Sequence, residues 1–433
     1  MVQHDTSSLI TYNKFMNIFF CGIGGVGLGP LAQMALDAGH TVAGSDLVDS
    51  LTTQELRELG VQMKIGEQTP AYLQQLHAAT PIDWFVYTAG LTPDHPELIA
   101  AEKLSIKTSK RDGLLQQLIE DSGQELIAIA GTHGKTTTTA MFVWALEQLD
   151  IPMSYSIGSQ IGFGPSGKFD TDSRYFIYEC DEFDRNFLKF NPHISLVTSI
   201  DYDHPDTYPT EEDYKSAFRQ FIHQSEATIL WQHDADYIHT RESSAWSLHP
   251  DETIQLTLAG EHNRRNATLV LKALERMKLG ENINNRNALA TFPGTARRFE
   301  KIADNLYSDY GHHPAEIAAT LQMARELNNH VVLVYQPHQN IRQHEVREQY
   351  TDTIVKNADD VYWLPTYLTR EDPALEVLTA AQLTRNISSD KVHISELDDN
   401  LWREITFHRN EGYLVLCMGA GTIDSWLRAQ DLS

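Results

Sequence analysis

Short apolar runs recur along the chain, and each is followed by a turn signal and then by a segment with helical periodicity. This alternation is typical of βα units arranged around a parallel sheet. We therefore predict an α/β protein. The clearest candidate strands are Asn17–Cys21, Trp84–Thr88, Leu126–Ala130, Tyr175–Glu179, Ile194–Ile200, Thr228–Trp231, His330–Tyr335, Val361–Leu364 and Tyr413–Met418.

Two segments have the character of domain junctions. The segment Leu114–Glu125 predicts a helix that ends near Gly123, directly before a new strand, and the segment Gly280–Phe292 is polar and rich in Asn. The chain has 433 residues, which exceeds the size at which one hydrophobic core keeps growing. We predict three domains, at residues 1–122, 123–292 and 293–433.

The charge balance argues against polyanionic partners. The chain carries 59 acidic and 34 basic residues, for a formal net charge of −25. A protein this acidic lacks the basic surface that binds nucleic acid or an anionic membrane. A small anionic substrate can still bind through local donors such as loop amides, helix N-termini and a few placed Lys or Arg residues.

The cysteines and the N-terminal segment indicate a cytoplasmic protein. Cys21, Cys180 and Cys417 each lie in an apolar stretch, and their spacing fits neither a disulfide framework nor a zinc site. They are expected to be small core residues in a reducing compartment. The N-terminal residues 1–17 lack the basic and apolar regions of a signal peptide. No apolar run approaches the roughly 20 residues that a membrane helix needs.

A glycine-rich loop follows the first candidate strand. Its sequence is Gly22-Ile23-Gly24-Gly25-Val26-Gly27, and a helical run comes next. Such glycines let the backbone turn tightly and approach a phosphate at a helix N-terminus. Asp46, at the end of the next strand, lies where a Rossmann unit has its ribose-binding acid. The pattern leaves open a nicotinamide-dependent oxidoreductase, a nucleotide-diphosphate site or a turn without a ligand.

A second glycine loop has the pattern of a P-loop. The sequence Gly131-Thr132-His133-Gly134-Lys135-Thr136-Thr137 follows a strand and opens a helix, although Ala128 stands where the usual pattern has its first glycine. The loop amides can hold the phosphates of ATP, Lys135 can reach the β and γ oxygens, and the Thr136 hydroxyl can bind Mg²⁺. We predict an ATP site here.

Two further residues are candidate metal ligands. Glu179 ends a predicted strand and begins an acidic run that extends to Asp184, and His204 follows the next predicted strand. The carboxyl ends of parallel strands meet at one edge of a sheet, where the P-loop also lies. Glu179 and His204 are therefore expected near Thr136, although either one could be a loop residue without a metal.

Together these segments resemble the Mur ligase family. The resemblance rests on Gly131–Thr138, Glu179–Asp184 and Asp203–Tyr208, followed in the same order by Gly260–Ala267, Asp309–Pro314 and Gln336–His338, and it spans residues 17–427. It implies a Rossmann-like N-terminal domain that binds a UDP-sugar, a central P-loop domain that binds ATP, and a Rossmann-like C-terminal domain that binds an amino acid.

The resemblance also implies a reaction. Family members phosphorylate a sugar-linked carboxylate with ATP, and an amine then attacks the acyl-phosphate. The motifs are most similar to those of the members that add L-alanine to UDP-N-acetylmuramate for peptidoglycan synthesis, with Mg²⁺ or Mn²⁺ as the metal and a monomer or homodimer as the assembly. Members that attach a whole tripeptide are the alternative within the family.

Residue roles carry over by position. The catalytic residues would be Lys135, Glu179, His204 and Arg298, and the metal ligands Thr136, Glu179 and His204. The ATP contacts would be Gly131, Thr132, His133, Gly134, Lys135, Thr136, Thr137, His262, Asn266, Arg298 and Asp309. The UDP-sugar contacts would be Gly22, Gly24, Gly25, Gly27 and Asp46, and the amino-acid contacts Tyr310, His338 and Arg342.

The chain departs from the family pattern in places. The alanine-adding members usually have Gln-Pro-His-Arg-Tyr-Ser-Arg, whereas this chain has Gln339 and Asn340 at the positions of the first Arg and the Tyr. Phe183 replaces a usual Ser in the acidic run. Phe218 stands where members that add later residues have a carbamylated lysine, and this fits the alanine-adding group.

Overall fold

A computed structural model describes residues 15–432 except 26, 89, 160, 205, 206, 370 and 389. Most of the segment for which we predict no signal peptide lies outside the described residues, as do Val26 of the first glycine loop and Pro205-Asp206 of the segment after His204. The chain divides into two compact units, residues 1–251 with 269–288 and residues 252–268 with 289–433. The predicted domain boundaries at 122 and 292 stay predictions. No helix in the described ranges is both long and apolar enough to cross a membrane.

The first sheet belongs to the first unit, has the strand order β3-β2-β1-β4-β5, and is parallel throughout. The order reverses at β1, so the glycine loop after β1 lies at the kind of switch point where parallel α/β sheets bind ligands. The strands are β1 Asn17–Cys21, β2 Thr41–Asp46, β3 Gln62–Ile65, β4 Trp84–Tyr87 and β5 Lys107–Lys110. The helices are α1 Leu28–Asp37, α2 Leu51–Glu58, α3 Pro70–Ala79, α4 Pro96–Lys103 and α5 Arg111–Ser122.

The second sheet also belongs to the first unit and has the order β12-β11-β10-β6-β9-β7-β8. Its pairs are parallel except for β7 with β8. The strands are β6 Glu125–Ala130, β7 Met153–Ser156, β8 Gly167–Lys168, β9 Tyr175–Glu179, β10 Ile194–Val197, β11 Thr228–Trp231 and β12 Ala245–Leu248. The helices that follow in the chain are α6 Lys135–Gln148, α7 Glu211–Gln224, α8 Gln232–Tyr237, α9 Glu261–Met277 and α10 Asn282–Ala290.

The third sheet lies in the second unit and has the order β13-β14-β18-β15-β16-β17. Only the β13–β14 pair of these described strands is antiparallel. The strands are β13 Glu300–Ala303, β14 Leu306–Asp309, β15 Val331–Tyr335, β16 Asp360–Trp363, β17 Val392–Ile394 and β18 Leu414–Met418. The helices are α11 Pro314–Leu327, α12 Asn340–Val346, α13 Ala380–Leu383, α14 Asp399–Asn410 and α15 Ile423–Arg428.

The predicted strands are all present, and the α/β class is confirmed. Strands such as β15 and β18 are buried along their whole length, which explains their continuous apolar sequence. The predicted strand Ile194–Ile200 ends earlier, at Val197, because the following residues turn to contact the P-loop. Cys21, Cys180 and Cys417 are buried and unbridged, as predicted.

Candidate active site

The P-loop lies between β6 and α6, and the chain after β10 supports it. Gly131 has φ +134°, and a Cβ added there would lie 2.3 Å from Thr198 Oγ1, so only glycine fits. The amide of Thr132 donates to the Ser199 carbonyl at 2.9 Å, and the amide of His133 donates to Ser199 Oγ at 3.0 Å. The loop is therefore held in its turn by the adjacent strand end.

The side chain of Lys135 folds back onto the loop and onto a buried carboxylate. Its Nζ donates to the Gly131 carbonyl at 2.6 Å and to Glu182 Oε2 at 2.7 Å. Glu182 is 1% exposed, and burial raises its pKa even though Lys135 partly offsets the effect. Burial acts to lower the pKa of Lys135, but Glu182 and Asp181 outweigh it and raise that pKa. Sequence reasoning identified the acidic run but not Glu182 as the partner of Lys135.

Two of the predicted metal ligands are in direct contact. Thr136 Oγ1 donates to Glu179 Oε1 at 2.8 Å, and the amide of Gly158 donates to Glu179 Oε2 at 2.7 Å. A hydroxyl and a carboxylate at the end of a P-loop are the hard oxygen donors that a small divalent cation takes. The arrangement fits a metal bound beside Thr136.

His204 approaches the same group of residues from the chain after β10. Its Nε2 lies 3.7 Å from Glu182 Oε1 and 3.7 Å from Asp203 Oδ2. Glu182 Oε1 is buried and has no hydrogen-bond partner among the described residues. Phe183, which replaces the usual Ser, places its ring edge-on to His204 with 5.2 Å between centroids. Glu182 thus connects His204 to Lys135 through its two oxygens.

Phe218, at the position where some members of the family that the motifs resemble have a modified lysine, is a core residue. It is fully buried in α7, and its ring lies 5.1 Å from the rings of Phe187 and Tyr214. A phenylalanine side chain offers no polar atom for a metal or a phosphate. The position is therefore filled by packing in this chain.

The first glycine loop is anchored largely by its own neighbours. The amides of Gly22 and Ile23 both donate to the Ser45 carbonyl, at 2.8 and 3.1 Å. The amide of Gly24 donates to Asp46 Oδ2 at 2.8 Å, and the amide of Gly25 donates to the Gly22 carbonyl at 3.1 Å. Asp46 therefore holds the loop in shape, and its predicted contact with a UDP-sugar stays a prediction.

The remaining predicted ATP contacts belong to the second unit. His262 is nearly buried, burial lowers the pKa of His262 to about 4, and its Nδ1 has no partner among the described residues. Asn266 lies one turn further along α9 and is 6% exposed. A neutral imidazole and a carboxamide are suited to the polar edge of a base.

Asp309 and Arg298 lie close to each other in the second unit. Asp309 accepts from the amide of Phe299 at 2.8 Å and from that of Gly311 at 2.7 Å. Burial raises the pKa of Asp309 to about 6, although Arg298 and these amides act against the rise. The guanidinium of Arg298 lies 5.3 Å from the ring centre of Tyr310.

The three predicted amino-acid contacts meet around His312, which sequence reasoning missed. Arg342 Nη1 lies 2.9 Å from His312 Nε2, and the His312 ring is 5.4 Å from that of His338 and 5.8 Å from that of Tyr310. Burial lowers the pKa of His312, and Arg342 adds to this effect. A neutral His312 can accept a hydrogen bond from Arg342. The Tyr367 ring stacks on His338 at 5.6 Å.

The two departures beside His338 have different surroundings. Gln339 has φ +60°, an uncommon value for a residue other than glycine. Asn340 is 1% exposed, donates to the Glu376 carbonyl at 3.0 Å and accepts from the Leu378 amide at 2.9 Å. Asn340 thus fixes the neighbouring segment instead of facing a ligand.

Comparisons with known proteins agree with this arrangement of sheets and loops. Residues 17–122 match the model described as "Mur ligase family, catalytic domain". Residues 129–248 match "Mur ligase middle domain", and residues 297–421 match "Mur ligase, glutamate ligase domain". The first and third ranges contain the first and third sheets, and the second range contains the second sheet except for the first four residues of β6.

Curated relatives match over almost their whole length. The UDP-N-acetylmuramate–L-alanine ligase of Nocardioides sp. is 31% identical over 95% of this chain and 94% of its own. The protein of the same name from Novosphingobium aromaticivorans is 29% identical over 94% of this chain and 95% of its own.

Solved structures share the fold. The UDP-N-acetylmuramate–alanine ligase MurC of Thermotoga maritima has a TM-score of 0.75 at 23% identity and covers 95% of this chain and 97% of its own. A murein peptide ligase from Psychrobacter arcticus has a TM-score of 0.60 at 22% identity with the same coverage. The family matches and the near-full-length relatives leave one assignment: the chain belongs to the Mur ligase family of ATP-dependent ligases.

Proposed function

We propose that this ligase adds L-alanine to the carboxylate of UDP-N-acetylmuramate, with conversion of ATP to ADP and phosphate. The observation that carries the proposal is the match, over about 95% of the chain, to a curated relative with that activity in its name. The cluster of Tyr310, His338 and Arg342 around His312 supports it, because it combines a guanidinium with polar rings at one place. The proposal implies a cytoplasmic enzyme of peptidoglycan precursor synthesis.

The first step transfers a phosphoryl group. A carboxylate oxygen of the sugar substrate attacks the γ-phosphorus of ATP, the bond to the β–γ bridging oxygen breaks, and ADP leaves. Lys135 would exchange Glu182 for the phosphate oxygens, and the P-loop amides would bind the phosphates. Thr136, Glu179 and His204 would hold Mg²⁺ or Mn²⁺, which neutralises phosphate charge when bound.

The second step forms the amide. The free amine of the amino acid attacks the acyl carbon, a tetrahedral intermediate forms, and its collapse releases phosphate as the carbon–oxygen bond breaks. Arg342 would pair with the α-carboxylate, since a guanidinium fork matches a carboxylate. The ammonium must lose a proton before attack, and His312 is the neutral imidazole closest to Arg342.

A tripeptide-adding ligase is the second candidate. It is favoured by two observations, the absence of the usual Arg and Tyr at Gln339 and Asn340 and the structural similarity to a murein peptide ligase. The shared fold at 22% identity does not distinguish the two activities. The choice of nucleophile therefore has to be measured.

The test is a phosphate-release assay with UDP-N-acetylmuramate, ATP and Mg²⁺. Each reaction contains one nucleophile from a panel of L-alanine, glycine, L-serine and the tripeptide L-alanyl-γ-D-glutamyl-meso-diaminopimelate, and mass spectrometry identifies the product. We expect the highest kcat/KM with L-alanine and turnover lower by several orders of magnitude in Lys135→Ala. A higher kcat/KM for the tripeptide than for L-alanine would show that the chain is a tripeptide-adding ligase.

A further inference from the structure

Arg111 lies where the first glycine loop meets the first turn of α5. A methyl group placed on Gly27 would be 3.6 Å from Arg111 Cδ and 3.9 Å from Arg111 Nη1. Gly27 directly precedes α1, so the guanidinium lies beside the start of that helix.

The guanidinium of Arg111 binds no other group in the described part of the protein. Across the described residues it makes no hydrogen bond and no ion pair, although its side chain is half-buried. Arg264 and Arg325, by comparison, both bind carboxylates at 2.8–3.1 Å. A guanidinium has five N–H donors, and those of Arg111, which are not used within the described part of the protein, are available to an anionic ligand.

The loop itself has few donors left for an anion. Its described amides from Gly22 to Gly25 already donate to Ser45, Asp46 and Gly22, and Asp46 adds a negative charge beside them. A diphosphate that bound to this loop alone would meet that carboxylate without a compensating cation. A side-chain cation next to Gly27 supplies both the missing charge and the missing donors.

The charges around Arg111 keep it ionised. Burial acts to lower its pKa, but Tyr178, Asp112, Glu179 and Asp181 outweigh burial and raise it. The neighbouring Lys110 is already engaged, because its Nζ lies 3.3 Å from Asp184 Oδ2. Lys110 therefore makes a close control for the loss of one positive charge from the same segment.

We propose that Arg111 binds the diphosphate of the UDP-sugar at the first glycine loop, as the side-chain cation that this loop lacks. The proposal rests on the proposed function, since it takes the loop to be the UDP-sugar site. A bidentate guanidinium–phosphate contact contributes both charge and geometry, which a lysine at the same position reproduces only in part.

The experiment measures binding of UDP, of UDP-N-acetylmuramate and of ATP by calorimetry on the full chain. Arg111→Met removes the donors and keeps much of the side-chain volume, Arg111→Lys keeps the charge, and Lys110→Met is the matched control. For Arg111→Met we expect the Kd of both uridine nucleotides to rise about 10- to 100-fold, with a smaller rise for Arg111→Lys. The Kd of ATP should be unchanged in all variants, and Lys110→Met should bind UDP within about twofold of wild type, as expected for an exposed ion pair.

The outcomes separate the two proposals. If Arg111→Met binds UDP as tightly as wild type, or if Lys110→Met loses as much UDP affinity as Arg111→Met, the role of Arg111 is overturned. The proposed function is not affected by either result. A wild-type protein that binds neither uridine nucleotide would overturn the proposed function. If Arg111→Met is not folded by circular dichroism, the comparison of Arg111→Lys with wild type decides: UDP affinity equal to that of wild type overturns the role of Arg111.

Discussion

Glu182 and Lys135 form a buried ion pair at the place where ATP phosphates are expected. Lys135 Nζ lies 2.7 Å from Glu182 Oε2, and the Glu182 side chain is 1% exposed. The other carboxylate oxygen, Oε1, lies 3.7 Å from His204 Nε2. In the proposed mechanism, nucleotide binding exchanges the Glu182 carboxylate for phosphate oxygens around the Lys135 ammonium group. We expect Glu182 to hold the Lys135 side chain in place in the absence of nucleotide.

Glu182→Gln tests this exchange. The amide can still accept one hydrogen bond, but it removes the charge opposite Lys135, so we expect the free energy of unfolding without nucleotide to fall by about 1–3 kcal/mol. ATP should then raise the melting temperature more in the variant than in wild type, because phosphate restores the missing negative charge. Thermal melts with and without ATP measure both effects.

Asp181→Asn is the matched control, because Asp181 Oδ1 is 3.9 Å from Lys135 Nζ and its side chain is 52% exposed. We expect this change to alter stability by less than about 1 kcal/mol. Equal melting temperatures for wild type and Glu182→Gln would mean that the pair contributes nothing to the free protein.

Contacts between individual residues were the part of the site that the sequence predicted least well. The P-loop pattern identified Lys135 and Thr136, and Glu179 was identified by its position at the end of a predicted strand. The partner contacts of Glu182 with Lys135 and of His312 with Arg342 join residues 47 and 30 positions apart, so only the fold brings them together. No local pattern marks which acid of a run will be buried.

At the scale of elements, strand burial explains which strands could be predicted. Strands β6, β10, β15 and β18 are buried over nearly their whole length and consist mostly of apolar residues. Edge strand β5, Lys-Thr-Ser-Lys, has no buried residue and carries no apolar signal. This edge strand buries none of its side chains and therefore leaves no apolar run in the sequence.

Helix α12, which carries Arg342, depends on a carboxylate from a distant loop. Glu371 accepts from the amides of Asn340 at 3.1 Å and Ile341 at 3.3 Å, and also from that of Thr369 at 2.8 Å. A negative charge at the first turn satisfies amides that have no partner within the helix. Glu371 thus fixes the helix start from which Arg342 projects.

Glu371→Ala should therefore weaken the use of the amino-acid substrate indirectly, through the position of α12. Loss of this cap costs about 1 kcal/mol of local order, so we expect the KM for L-alanine to rise about 3- to 10-fold with an unchanged KM for ATP. Glu371→Gln should recover part of the loss. Asp372→Ala is the control, since the Asp372 side chain accepts from the amide of Ala374 within its own loop. If Glu371→Ala has the same KM for L-alanine as wild type, Glu371 does not position Arg342.

The first glycine loop is constrained by α2 as well as by any ligand. A Cβ on Gly24 would lie 2.7 Å from Thr53 Cγ2 and 2.9 Å from Ser50 Oγ, so even alanine requires a shift of the loop. We expect Gly24→Ala to lower the unfolding free energy by about 1–3 kcal/mol and to weaken UDP binding. Chemical denaturation and calorimetry measure the two effects.

Gly162→Ala serves as the control for Gly24→Ala, because a Cβ on Gly162 would meet nothing within 4 Å. Its unfolding free energy and UDP affinity should equal those of wild type. If Gly24→Ala keeps the unfolding free energy and the UDP affinity of wild type, the loop can move away from α2 without a cost in either quantity.

At the scale of the whole molecule, the P-loop and the residues proposed to bind the amino acid belong to different compact units. The P-loop with Lys135 belongs to the first unit, whereas Arg342 and its neighbours belong to the second. Substitutions at the amino-acid cluster should therefore change the use of the nucleophile and leave the affinity for the UDP-sugar unchanged. This separation makes the identity of the nucleophile testable through the second unit alone.

Arg342→Ala addresses the nucleophile directly. Loss of a charge-assisted pair with the α-carboxylate should raise the KM for L-alanine about 10- to 100-fold, while the KM for ATP changes little. Arg347→Ala, an exposed arginine one turn further on that lies 3.5 Å from Glu348, is the control and should leave both KM values unchanged. If the chain instead adds a tripeptide, free L-alanine will be a poor substrate of the wild type, and its kcat/KM will be far below that of the tripeptide. Steady-state kinetics with both nucleophiles on the wild type and the two variants distinguish these cases, because only an L-alanine ligase loses its preferred nucleophile when Arg342 alone is removed.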